Sequence, residues 1–247
     1  MVSAGLDGDV AIVTGASSGI GEATAHVFAR EGATVVLAAR RRERLETIAD
    51  DLAAEYDADT HVVPTDVTVE AEVESLVDAT VEAYGGVDVL VNNAGLGRSG
   101  DVESLETAAY RQMMDVNCDG AFFATRAALP HLREADGNLV FVGSFAGQYP
   151  RPSNPVYAAT KWWLRGFAHS VEAAYGDDGV AVTVVNPTEV RTEFGSEDGD
   201  AFEEVFEPDE VTEPVEIAEA IAFAARQEPP TTTSEIDVYR RDKFGHF

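Results

Sequence analysis

Short apolar runs rich in β-branched residues alternate along the chain with longer stretches in which apolar positions recur every three or four residues. The runs predict strands at 9–14, 33–39, 61–64, 87–91, 138–143, 180–186 and 235–239. Helical spacing is expected at 19–31, 41–56, 69–84, 106–133, 154–176 and 214–226. Parallel neighbours need a connection long enough to hold a helix, so this strict alternation implies right-handed βαβ units. The expected architecture is a single α/β domain spanning 1–247, a doubly wound parallel sheet of seven strands with helices on both faces. Residues 193–213 break the pattern, with ten carboxylates, two glycines and little periodicity. They are expected to be mobile and to act as a substrate lid with Phe194, Phe202 and Phe206 turned inward, or else to form a solvated acidic loop.

Composition narrows the class. With 247 residues, 45% of them hydrophobic, the chain can bury a substantial core. Its single cysteine, Cys118, excludes an internal disulfide and leaves no zinc-type spacing, which suits a reducing cytoplasm, and no metal site is expected. Neither an export signal nor a run long enough to span a membrane is visible, so no membrane partner is expected. The 45 acidic residues outnumber 17 basic ones and give a net charge of −28, a field that repels phosphate backbones and makes nucleic acid a poor partner. Such self-repulsion is relieved where salt shortens the Debye length to about 3 Å at 1 M. A halophilic, cytoplasmic protein is expected, the alternative being an acidic protein of ordinary salt.

Candidate chemistry begins directly after the first strand, at Thr14-Gly15-Ala16-Ser17-Ser18-Gly19-Ile20-Gly21. Glycines in a strand-to-helix turn let the backbone and the helix N-terminus approach a pyrophosphate, which points to dinucleotide binding. Tyr157 and Lys161 are spaced to share one helix face, and an ammonium beside a phenol favours the phenolate. Ser144 ends the fifth strand run, where a hydroxyl can meet an oxygen on which charge develops. The glycine turn, Asn92-Asn93-Ala94-Gly95, Asn117, Ser144 and Tyr157-x3-Lys161 together resemble the short-chain dehydrogenase/reductase family over nearly the whole chain.

That resemblance implies a Rossmann fold and an oxidoreductase that interconverts an alcohol and a carbonyl. It implies catalytic roles for Asn117, Ser144, Tyr157 and Lys161, with Asn117 holding a water that joins Lys161 to solvent. It implies cofactor contacts from Gly15, Ser17, Ser18, Gly19, Ile20 and Gly21, from Asp66 and Val67 at the adenine, and from Asn93, Ala94 and Gly95 at the ribose. Tyr157, Lys161, Pro187, Val190 and Thr192 would serve the nicotinamide end. The family usually has glycine after the proline where this chain has Thr188. Asp66 can equally cap the following helix. Self-association into a homodimer or homotetramer is also implied, with Trp162 and Trp163 available to it.

Cofactor choice is written at the end of the second strand, where Ala39 stands in place of an acid and Arg40, Arg41, Arg42 and Arg44 crowd together. Arginine forks suit a 2′-phosphate and an acid would repel it, so NADP(H) is expected over NAD(H), with Arg40 and Arg41 as its contacts. A regulator that binds NADP(H) without turnover is the alternative on the same fold, and an epimerase or dehydratase has little room for the extra substrate domain it would need. The salt expectation has a direct check. Thermal melts should rise from dilute to molar potassium chloride, and equal melting in both would show ordinary acidity instead.

Overall fold

The computed structural model describes residues 5–195 and 200–246. The strands are β1 (Val10–Thr14), β2 (Thr34–Ala39), β3 (Thr60–Pro64), β4 (Val89–Asn92), β5 (Asn138–Val142), β6 (Ala181–Pro187) and β7 (Glu235–Val238). All pair in parallel, in the order β3-β2-β1-β4-β5-β6-β7. This is the expected single-domain doubly wound sheet. β1, β2, β4, β5 and β6 are buried on both sides because alternate residues serve different faces, whereas the edge strand β7 carries Glu235 and Asp237 on one of them. Ala11, Val13, Val140 and Val142 pack with α1 (Gly19–Arg30), α2 (Arg42–Tyr56) and α8 (Pro214–Ala225). Val10, Ile12, Leu139 and Phe141 pack with α3 (Glu70–Tyr84), α5 (Ala121–Glu134) and α6 (Pro155–Tyr175). No helix among the described residues is long and apolar enough to cross a membrane.

The chain winds outward from β1 to β3, then returns to place β4 on β1's other side. Connections therefore diverge between β1 and β4, and a crevice opens above their carboxyl ends.

Two segments differ from the sequence expectation. The helix expected over 106–133 is broken into α4 (Thr107–Met114), a π-helical turn (Asp115–Gly120) and α5. Its apolar periodicity carries through the interruption, which is why spacing alone reads it as one helix. The described parts of the acidic segment, 193–195 and 200–213, carry contacts that its composition did not predict. Arg191 N–H donates to Thr212 O at 2.9 Å, Val190 bridges Thr212, and Phe202 N–H donates to Phe194 O at 3.0 Å. A short helix, α7 (Phe202–Val205), forms inside it, and Ala201 and Val211 are buried. Charge governs its outer surface while a few apolar residues anchor it. Residues 196–199 of the expected lid lie outside the described residues.

The glycine turn is fixed by sterics. Gly15 has φ +67°, and a Cβ there would lie 2.9 Å from Ala94 Cα. A Cβ on Gly21 would lie 2.3 Å from Gly15 O, with no room on either side. Gly21→Ala should therefore lower the melting temperature, by about 1–3 kcal/mol of overpacking, and abolish dinucleotide binding in a fluorescence titration.

Candidate active site

A cleft of about 580 Å³ opens at the carboxyl edge of the sheet. It is lined by the glycine turn, the ends of β2 to β6 and the start of α6. Of the expected residues, Gly15, Ser17, Ser18, Gly19, Ile20, Arg40, Arg41, Asp66, Val67, Asn93, Ala94, Gly95, Ser144, Tyr157, Lys161, Pro187, Val190 and Thr192 all line it. Gly21 and Asn117 stand behind the wall, and Asn92 turns away, donating from Nδ2 to Thr125 Oγ1 at 3.1 Å.

One clamp holds the floor. Thr14 Oγ1 accepts from the N–H groups of Asn93 and Ala94 at 3.0 and 3.1 Å, while Asn93 Nδ2 donates to Thr14 O at 2.9 Å. The two strand ends nearest the crevice are thus tied directly together. The sequence marks Thr14 only as the start of the glycine motif, yet its hydroxyl ties the loop after β4 to the end of β1.

Ser144 sits in extended backbone after β5, and its Oγ accepts from Ala146 N–H at 3.1 Å to cap the turn Phe145–Gly147. The same hydroxyl faces Tyr157 closely enough to favour its ionised form. α6 starts with Pro155 at its first position, as its fixed φ favours. Asn154 stands at the N-cap, but its side chain makes no capping bond. Lys161 is 6% exposed, and its Nζ donates to Val142 O at 2.8 Å and lies 5.9 Å from the centre of the Tyr157 ring. The expected pairing of phenol and amine on one face is present.

The electrostatics differ from the expectation of a stabilised phenolate. Burial pushes the Tyr157 phenol above its ordinary value, and the Ser144 hydroxyl and Arg151 draw it back only in part. Burial also pushes the Lys161 ammonium down to about 8. Both groups lose water, and desolvation disfavours the charged form of each. Tyr157 is therefore held as an acid. Cys118 behaves likewise, burial pushing its thiol to about 11, so this lone cysteine is an inert thiol.

Asn117 occupies the π-helical turn with its side chain fully engaged. Oδ1 accepts from Leu96 N–H at 2.9 Å, and Nδ2 donates to Leu96 O at 2.8 Å and to Thr160 Oγ1 at 3.0 Å. The Asn117 side chain thereby braces the turn against Leu96 and α6. Thr160 passes the brace on by donating to Tyr157 O at 2.8 Å. Thr160 is a positioning residue that sequence reasoning missed, although it lies within the Tyr157-to-Lys161 motif.

The arginines divide sharply. Arg41, expected at the cofactor, donates to Ser17 Oγ at 2.9 Å, Ser18 Oγ at 2.8 Å and Glu193 Oε2 at 3.0 Å. Arg44 donates to the other Glu193 oxygen at 2.6 Å. Burial pushes the Glu193 carboxyl up, but these bonds outweigh it and hold the group below its ordinary value. Arg40 lines the cleft, exposed, and bonds to no described residue. Asp66 Oδ1 accepts from both the N–H and the hydroxyl of Thr68, at 3.0 and 2.8 Å. Thr188 has no left-handed backbone, so threonine fits where the family usually has glycine. Phe194 and Phe202 line the cleft as expected, with the Phe194 ring 5.7 Å from that of Tyr157, while Phe206 packs on Phe202 outside it.

A family profile described as short chain dehydrogenase matches residues 9–201. An uncharacterized oxidoreductase of Staphylococcus aureus (strain MRSA252) is 35% identical over 236 residues, covering 94% of this chain and 97% of that relative. Among solved structures, an alcohol dehydrogenase from the archaeon Thermococcus sibiricus, complexed with 5-hydroxy-NADP, superposes with a TM-score of 0.86 at 31% identity, covering 93% of this chain and 95% of that one. A 3-ketoacyl-(acyl-carrier-protein) reductase from Brucella melitensis, complexed with NADH, superposes with a TM-score of 0.83 at 30% identity, covering 95% and 98%.

Proposed function

We propose that this chain, which belongs to the short-chain dehydrogenase/reductase family of oxidoreductases, interconverts an alcohol and a carbonyl with NADP(H). The observation that carries this reading is the convergence of Ser144, Tyr157 and Lys161 on the same cleft as a glycine turn too tight for any side chain. A regulator without turnover would have no use for a phenol held as an acid beside a buried amine. The residues fit a dinucleotide: Gly15 and Gly19 line the cleft where a Cβ has no room, Gly21 lets the turn pack tightly behind them, and Arg40 bonds to no described residue at the adenosine end. When bound there, NADP(H) supplies or accepts the hydride.

The chain's own groups do the rest. Ser144 donates a hydrogen bond to the substrate oxygen as negative charge develops on it. Tyr157 gives that oxygen its proton in reduction and takes it back in oxidation. Lys161, anchored by Val142 O, faces the dinucleotide ribose and steadies the tyrosine once it has lost its proton. Asn93, Ala94 and Gly95 bring backbone close to the adenosine side, and Val190 and Thr192 close the nicotinamide end. The 2′-phosphate preference rests on Arg40, since Arg41 already holds Ser17 and Ser18 in place. The neighbours support a nicotinamide dinucleotide: the Thermococcus enzyme holds an NADP derivative and the Brucella enzyme NADH. Segment 193–213 acts as the lid, tied to the glycine turn through Glu193 and Arg41. Homo-oligomers are proposed through the outer faces of α5 and α6, where Phe122, Trp162 and Trp163 stay exposed. A salt-adapted, cytoplasmic enzyme remains part of the proposal.

Three measurements test this. Tyr157→Phe should lower kcat for NADPH oxidation by about 10²–10⁴-fold with dinucleotide binding kept, and full activity would sink the mechanism. Because the raised phenol stays protonated through neutral pH, wild-type reduction should hold there and fall only as alkali ionises Tyr157. Arg40→Asp should weaken NADPH binding about tenfold or more while improving NADH, and an unchanged preference would refute the assignment of Arg40.

A further inference from the structure

The substrate half of the cleft holds a guanidinium that the scheme above does not use. Arg151, on the loop leading into α6, lines the cleft with its side chain 37% exposed. Its Cζ rests 5.8 Å from the centre of the Phe145 ring, next in sequence to Ser144. Among the described residues the nearest carboxylate oxygen, on Glu189, is 3.9 Å from Nη2, too far for a hydrogen bond, and Arg151 donates none to any of them. Elsewhere acids are quickly claimed: Arg30, Arg44, Arg133 and Arg165 each lie within 2.9 Å of a carboxylate oxygen.

Glu189 does not neutralise this charge, because it is committed to Lys243, whose Nζ donates to both of its oxygens at 2.6 and 2.9 Å. The pair is neutral, so one positive charge is left over, that of Arg151. A second polar group beside it is also short of a partner. Asn154, whose backbone N–H donates to Arg151 O at 3.0 Å, lines the same cleft and has its side-chain oxygen buried without a hydrogen bond.

Building on the alcohol–carbonyl reading, we propose that Arg151 is a specificity residue that binds a carboxylate on the substrate, so that short hydroxy acids and their oxo-acid counterparts are the class turned over. A planar monoanion matches both the guanidinium fork and the single uncompensated charge. A phosphate monoester carries close to two charges at neutral pH and would leave one unbalanced. The same contact feeds back on the chemistry. Burial raises the Tyr157 phenol and the Arg151 charge pulls it down, so a carboxylate on Arg151 cancels the pull and keeps the proton on the tyrosine until it is needed.

The test separates this claim from the one beneath it. Lactate, 3-hydroxybutanoate and 4-hydroxybutanoate are titrated calorimetrically, each against its methyl ester, into the protein with and without NADP+. The matching oxo acids and esters are then compared by kcat/KM in NADPH oxidation. Wild type should favour at least one acid over its ester by about tenfold or more in both assays, Arg151→Met should erase that preference, and Arg151→Lys should keep part of it. Equal treatment of acid and ester by wild type, or a preference that survives Arg151→Met, overturns the carboxylate assignment. Turnover of esters alone also overturns it and leaves the oxidoreductase standing. Absence of NADPH oxidation with every carbonyl compound overturns the proposed reaction instead, and the titrations alone then decide for or against the carboxylate site.

Discussion

A buried amine with no carboxylate beside it among the described residues is the constraint around which the cleft is organised. Lys161 gives up its water, and its one protein hydrogen bond is to a backbone carbonyl at the end of β5. An ammonium in that position is costly, and burial moves its titration close to neutrality. The surroundings make the placement possible by approaching very closely. A Cβ on Gly147 would lie 2.9 Å from Lys161 O, and one on Gly95 would lie 3.6 Å from Nζ. Glycine at both positions lets two loops pack onto the turn of α6 that carries the amine.

This explains why the tyrosine is kept as an acid. The same desolvation acts on phenol and ammonium, so neither charged form is favoured until charge appears on a partner. Motif spacing alone had suggested the opposite balance. It registers that a cation lies one turn away, but not how much water both groups have lost.

Much of the architecture was legible because parallel strands covered on both faces leave a continuous apolar signature, and the seven runs fall within a few residues of the strands. The cleft was legible for a related reason: glycines, a tyrosine–lysine pair and strand ends occupy fixed places on the carboxyl edge. What stayed hidden depended on partners distant in sequence. Arg41 reads as a phosphate ligand, and the fold adds that it also holds Ser17, Ser18 and Glu193. Asn117 reads as a water holder, and the fold adds its brace on Leu96 and Thr160. The burial of Ala201 and Val211 is concealed by the overwhelming charge around them.

The π-helical turn at Asp115–Gly120 has a consequence for how the chain tolerates change in length. A wide turn of this kind holds one residue more than the α-helical path between the same two ends. Losing a neighbour of Asn117 there would let α4 and α5 join as one regular helix between the same two ends, with both flanks in place but with the direction in which Asn117 leaves the helix changed. Asn117 would swing off Leu96 and Thr160, and the tyrosine backbone would lose its support without any catalytic side chain having been altered. Insertions and deletions in this stretch should thus be far less neutral than its helical appearance implies.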